Sequence, residues 1–275
     1  MSKAISYALF GYGKPRQDHS FDFNSYLRDL MTSIRMNRLI YPDYRTVLNT
    51  DTDTYNEYKD LFLGSDIDLY VNDPAPLCKA MLWRLKPIYT GKYTHVLCRD
   101  LDSPVTVREA KCVKYWENKG KAIHAITDSV SHNIPMMGGM IGIRVDLFLQ
   151  KMPNSWDALM SMASYDYNRK GTDQEFLNRV IYPVFAKMGE DSITQHYLRG
   201  YANTFLSDWH NEVPEYIDLG LPAALNESND TCGHIGSAGA YSSSLFKFLR
   251  KYWHNFDDLL ALEAKHPNIF YWVNE

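Results

Sequence analysis

Through its first 120 residues the chain alternates short apolar runs with segments whose apolar residues recur at helical spacing. This alternation restricts it to a mostly parallel sheet flanked by helices. Ile5 to Phe10 reads as a buried strand that breaks at Gly11-Tyr12-Gly13. Leu27, Leu30, Met31 and Ile34 then follow a helical period, and Pro42 closes that element. Tyr44 to Leu48 gives a second strand, and Asp66 to Val71 a third, stopped at Asn72-Asp73-Pro74. Leu77, Met81 and Leu85 mark a second helix that should end before Pro87. Tyr93 to Cys98 is the fourth strand, and Val107, Ala110, Val113 and Trp116 form one face of a third helix, which stops at Gly120. Beyond Ala122 the pattern loosens. Met140 to Val145 reads as a strand, Gln174 to Tyr182 as a helix, and Leu245 to Trp253 as a helix-like run after an irregular, turn-rich region.

Composition narrows the setting. The 275 residues are 45% hydrophobic, enough for one large domain. Mean hydropathy is -0.38, and no apolar run reaches the length of a membrane span. The N-terminus has no signal-peptide pattern, and the four cysteines form no C-x-x-C pair. Cys98 and Cys112 sit in apolar patterns, as small hydrophobes do. A cytoplasmic location without membrane insertion is expected. A net charge of -4 does not advertise nucleic acid as a partner, although Phe246 to His254 interleaves bases with aromatics. That run reads first as an amphipathic helix with solvated cations.

The chemistry concentrates just past the fourth strand, at Arg99-Asp100-Leu101-Asp102-Ser103. Two carboxylates at n and n+2 beyond a buried strand can meet at the C-terminal edge of the sheet, where open α/β sheets hold their ligands. Their hard oxygens suit Mg²⁺ or Mn²⁺, ions that complete their shell with substrate phosphates. Asp51/Asp53 has the same spacing but lies in a polar stretch, as a loop or helix cap does. Asp66 and Asp68 would share one face of the third strand. Gly138-Gly139 precedes an apolar strand and lets backbone approach a ligand, or simply makes a tight turn. Asp173 opens a helix, as an N-cap or as a carboxylate facing a sugar, and His132 can bond hydroxyls or serve structure. Cys232 to Tyr241 is glycine-rich and can present backbone N–H groups to a diphosphate. Gly11-Tyr12-Gly13 lacks the last glycine of a dinucleotide fingerprint, and there is no Walker A sequence, zinc spacing or Gly-x-Ser-x-Gly elbow.

Taken together, Arg99-Asp-Leu-Asp-Ser103 with Arg108-Glu109 and Trp116 resembles the Asp-x-Asp segment of GT-A type glycosyltransferases. His132-Asn-Ile-Pro-Met-Met-Gly-Gly-Met-Ile-Gly142 resembles their acceptor-side loop and following strand. Gly171-Thr-Asp-Gln-Glu-Phe-Leu177 is similar to their Asp-Gln-x-x-Leu element, and Ile5 to Gly11 to their first strand and nucleotide loop. The resemblance covers roughly residues 1–185. It implies a nucleotide-diphospho-sugar donor held by a divalent ion, and His234 resembles the C-terminal histidine that completes such metal sites.

The expectation is one GT-A-like α/β domain over residues 1–275, with a nucleotide-binding half at 1–120 and an acceptor half with a C-terminal extension at 121–275. It would move a sugar from a UDP-linked donor to a hydroxyl of a glycan, or of a hydroxymethylated pyrimidine in DNA as phage-type enzymes do. Asp100, Asp102 and His234 are the metal candidates. Phe10, Gly11, Tyr12, Arg99, Asp100, Ser103, Gly138 and Gly139 are the donor-binding candidates. Asp173 and His132 are the catalytic ones. A nucleotidyltransferase, or a non-catalytic sugar- or nucleic-acid-binding protein, is the alternative.

Overall fold

A computed structural model describes residues 2–14, 23–103, 105, 107–127, 134–186 and 193–197. Seven strands form one sheet: β1 (Ser2–Leu9), β2 (Tyr44–Asp51), β3 (Asp68–Asn72), β4 (Tyr93–Arg99), β5 (Ile123–Thr127), β6 (Met140–Arg144) and β7 (Ile193–Tyr197). Their order is β3-β2-β1-β4-β6-β5-β7. β1, β2, β3 and β4 pair in parallel, as do β5 and β7, whereas β6 runs antiparallel to both β4 and β5. This is the Rossmann-type, mostly parallel sheet that the alternation of apolar runs and helical periods leads one to expect.

Strand alternation divides the core into two layers. Ile5, Tyr7 and Leu9 of β1, with Leu48 and Leu97, face one side. They pack there against Leu30 and Ile34 of α1 (Phe23–Ile40), Phe62 of α2 (Thr52–Leu63), and Val113 and Trp116 of α4 (Val107–Lys119). Ala4, Val96 and Cys98 face the other side, against Leu82, Leu85 and Ile88, which follow α3 (Leu77–Met81). Phe148 of α5 (Val145–Leu149), Leu159 of α6 (Trp156–Met160), Phe176 of α7 (Thr172–Phe176) and Phe185 of α8 (Tyr182–Ala186) complete that layer. Cys78, Cys98 and Cys112 are buried. Among the described residues no helix is long and apolar enough to cross a membrane.

Several expectations change. The second helix does not end before Pro87. It passes from α3 into a 3-10 helix, Leu82–Thr90, that contains Pro87. The ring removes the N–H that would bond the Trp83 carbonyl in an α-helix, and the tighter turn tolerates that loss. The third strand starts at Asp68, not Asp66, because Asp66 has a left-handed backbone with φ 48°. Asp66 and Asp68 therefore do not share a strand face. Both pair instead with Arg45, at 3.1 and 3.2 Å. Asp51 is a helix cap, its side chain accepting from the Thr54 N–H at the start of α2. The segment expected as one helix from Gln174 is α7, a π-helical turn at Leu177–Ile181, and α8. The glycine-rich run 232–241 and the helix-like run 245–253 lie outside the described residues.

Candidate functional site

Parallel pairing of β1 with β4 brings their C-terminal ends together, so the Phe10–Gly11 turn and Asp100 leave the sheet at one edge. β6 runs the opposite way, and its register sets Met140 beside Arg99. Gly138 and Gly139, just before β6, therefore arrive at the edge where Asp100 leaves it. The fit is close: a Cβ on Gly139 would stand 2.0 Å from Asp100 Oδ2, and one on Gly138 would stand 2.8 Å from Arg84 Nη2 and 3.5 Å from Asp173 Oδ2. Any side chain at Gly139 would overlap the carboxylate, so glycine is required by space there.

The glycine pair is held from both sides. Arg99 Nη1 donates to the Gly139 carbonyl at 2.9 Å, while its Nη2 pairs with Glu109 at 3.0 Å in the core. Asn178 grips Met136, accepting from its N–H and donating to its carbonyl, both at 2.8 Å. Arg99 is 2% exposed. Its contribution to the edge is thus to fix Gly139, and a donor would not reach it. Ser103 is equally buried.

Four charged groups meet at the edge. The Arg84 guanidinium, nearly buried, forms an ion pair and hydrogen bond with Asp100 Oδ1. The Asp100 side chain is 42% exposed. Asp102 is half-buried and accepts from the Tyr26 hydroxyl at Oδ2, 3.3 Å. Burial, with the charge of Asp100 behind it, pushes the Asp102 carboxyl up to about 6. Asp173 lies in the first turn of α7 and is not its N-cap, which is Gly171. Among the described residues its buried Oδ2 has no hydrogen-bond partner, and burial raises its pKa against the pull of Arg84. Burial opposes the charge on Arg84, but Asp100, Cys98 and Asp173 outweigh it and raise the pKa. Among the described residues, one cation, Arg84, stands among three carboxylates there.

The nucleotide-side candidates form a separate wall. Gly11 turns with φ 84°, and its N–H donates to Asp51 Oδ2 at 3.0 Å. The Tyr12 N–H donates to Thr54 Oγ1 at 3.2 Å. The first loop is thereby tied to the cap of α2. Phe10 is buried edge-on to Trp83, with ring centres 5.6 Å apart, whereas Tyr12 meets Phe23 and Tyr58 at 5.5 and 5.3 Å. Phe10 is packing, and Tyr12 is the accessible ring of the pair.

Asp100 and Asp102 supply two hard oxygen donors, and among the described residues no three His, Cys, Asp or Glu side chains converge on one point. This set fits a divalent ion of the Mg²⁺ type, which takes one or two carboxylates and fills its shell with water and phosphate oxygens. It does not form a complete protein cage. His132 and His234 fall outside the described residues, so they add nothing to this set. Sequence reasoning missed Arg84 and Tyr26. Arg84 carried a weak signal, a charge directly flanked by Trp83 and Leu85, and a buried charge requires a partner.

No protein-family model matches the chain, and no curated protein matches it. Solved structures with similar folds include a cytidylyltransferase from Leptospira borgpetersenii, at 12% identity and TM-score 0.45, covering 98% of this chain and 97% of that one. A mannosyltransferase from Pyrobaculum calidifontis, in complex with GDP-Man and Mn²⁺, is 11% identical with TM-score 0.43, covering 74% of this chain and 60% of that one. A putative nucleotide-diphospho-sugar transferase from Desulfovibrio desulfuricans is 12% identical with TM-score 0.43, covering 75% and 90%. At these values nothing about substrate carries over from them to this chain.

Proposed function

We propose that the chain is a transferase acting on a nucleotide-diphospho-sugar: a GT-A-like glycosyltransferase that passes the sugar from a UDP-linked donor to a hydroxyl. The observation that carries this reading is the meeting of Asp100, Asp102 and the Gly138–Gly139 backbone at one sheet edge, with Arg84 and Asp173 behind them. Tyr12 and the Gly11 turn, tied to Asp51, form the nucleotide side. A divalent ion on Asp102 and Asp100 would supply charge to the departing diphosphate. Asp102 offers the firmer donor, because its partner is the neutral Tyr26 hydroxyl, whereas Arg84 offsets the charge of Asp100. Arg84 keeps Asp100 turned toward the glycines. Gly138 and Gly139 let the sugar approach backbone, and Asp173, as buried as Arg99, stands behind Gly138 and adds its charge to that of Asp100 around Arg84. Residues 1–120 form the donor half and 121–275 the acceptor half. The acceptor is a glycan hydroxyl or a hydroxymethylated pyrimidine in DNA, and the setting is the cytoplasm.

Product analysis tests this. With UDP-sugars and Mn²⁺, slow release of UDP to water is expected even without an acceptor, because the same groups stabilise the leaving diphosphate whatever attacks. Pyrophosphate formed from a nucleoside triphosphate and a sugar phosphate, with no UDP release, would replace the reading by a nucleotidyltransferase.

A further inference from the structure

We infer that Tyr26 is a positioning residue for the divalent cation, holding Asp102 in the orientation that binds it and coupling that carboxylate to the nucleotide side of the site. The inference rests on the reading above, in which Asp102 is the principal metal ligand. Tyr26 lies in the first turn of α1, and its hydroxyl donates to Asp102 Oδ2 across 76 positions of chain. That bond engages one oxygen of the carboxylate and restricts its rotation. Asp100 is fixed in a comparable way by Arg84, so each carboxylate of the pair has one neutralising or orienting partner. The two partners differ in charge. Arg84 is a cation and offsets the negative charge of Asp100, whereas the Tyr26 hydroxyl orients Asp102 and leaves its charge available.

The same helix face reaches further. Phe23, three residues before Tyr26, is its neighbour on one side of α1. Its ring stacks on Tyr58 with centres 5.5 Å apart and a 20° interplanar angle, and it meets Tyr12 edge-on at 5.5 Å. A ligand base that moves Tyr12 thus acts on the element that carries the Asp102 partner. Hydrogen-bond partners of metal ligands typically change metal affinity by about 10- to 100-fold when removed. Among the described contacts of Asp102, Tyr26 is the side chain that donates to it.

The test compares wild type, Tyr26→Phe and Asp102→Asn by Mn²⁺ titration with electron paramagnetic resonance, which reads free Mn²⁺ directly. Thermal midpoints are recorded in metal-free buffer. Tyr26→Phe keeps the ring and removes only the donor. About a 10-fold weaker Mn²⁺ affinity is expected, with the metal-free midpoint nearly unchanged. Asp102→Asn should lose specific Mn²⁺ binding. Wild-type affinity in Tyr26→Phe, with binding lost in Asp102→Asn, would overturn the role of Tyr26 and leave the metal reading standing. A lowered midpoint at unchanged affinity would overturn it too, since that is what a structural hydroxyl gives. If wild type binds Mn²⁺ no better than Asp102→Asn, the metal reading fails and the positioning role fails with it.

Discussion

Asp102→Asn is expected to reduce sugar transfer by about 100- to 1,000-fold while the protein folds as before. The substitution preserves shape and removes one negative donor, so the diphosphate loses the charge partner that the metal would supply, an effect of several kcal/mol in the barrier. The fold should not suffer, and the sign follows from the shifted carboxyl. In the folded protein Asp102 titrates at about 6, above its ordinary 3.8, so folding favours its neutral form. The stability that the protonated form contributes is fully present below 3.8 and is lost as pH rises through about 6. At neutral pH a permanently neutral asparagine relieves that cost. Initial rates with limiting Mn²⁺ beside a thermal midpoint check both halves, and wild-type turnover in the variant would refute the role.

Gly139→Val is expected to be comparably damaging to transfer. The first atom of any side chain there lands 2.0 Å from Asp100 Oδ2, 2.4 Å from its Cγ and 3.0 Å from its Cβ. The carboxylate must swing out toward solvent, which its 42% exposure allows, while the crowding against the Asp100 Cβ remains. Its bond to Arg84 is then lost, and Arg84 stays buried without its nearest carboxylate. A loss of stability of about 1–3 kcal/mol is expected, as for other crowded sites, together with a fall in transfer of at least about 100-fold. Turnover and denaturant midpoint measured together separate the two. Near-normal turnover would make the glycines a turn and nothing more.

How much of this is legible in the sequence differs from element to element. Asp100 and Asp102 are readable because they follow an apolar strand whose end is marked by a sharp change to charge. Gly138-Gly139 is readable because two glycines before Met140-Ile-Gly-Ile143 interrupt an otherwise buried pattern. β5 and β7 are five residues each, and His124 and Gln195 break their apolar alternation, so tertiary pairing with β6 and with each other creates them. α2 was missed because its buried residues are few, Thr54 and Phe62, while the rest of Asp53-Thr-Tyr-Asn-Glu-Tyr-Lys-Asp60 is polar. The cap at Asp51 was visible, but the helix behind it was not. Arg84 and Tyr26 act on partners 16 and 76 residues away, brought to them by the β1–β4 pairing and the packing of α1, and no local spacing encodes that.

The central claim is that Asp100 and Asp102, with a divalent ion, hold a nucleoside diphosphate at the C-terminal edge of β1 and β4. Isothermal titration of UDP, with GDP as comparison, tests it most directly, in wild type and Asp102→Asn, with Mn²⁺ and with the metal removed by chelator. The account predicts a saturable UDP heat with Mn²⁺ that weakens by about tenfold or more on chelation and in Asp102→Asn, because the ion held by Asp102 would supply the positive charge the diphosphate needs. Equal affinity in all four conditions, or no binding of either nucleotide with Mn²⁺ present, would contradict it.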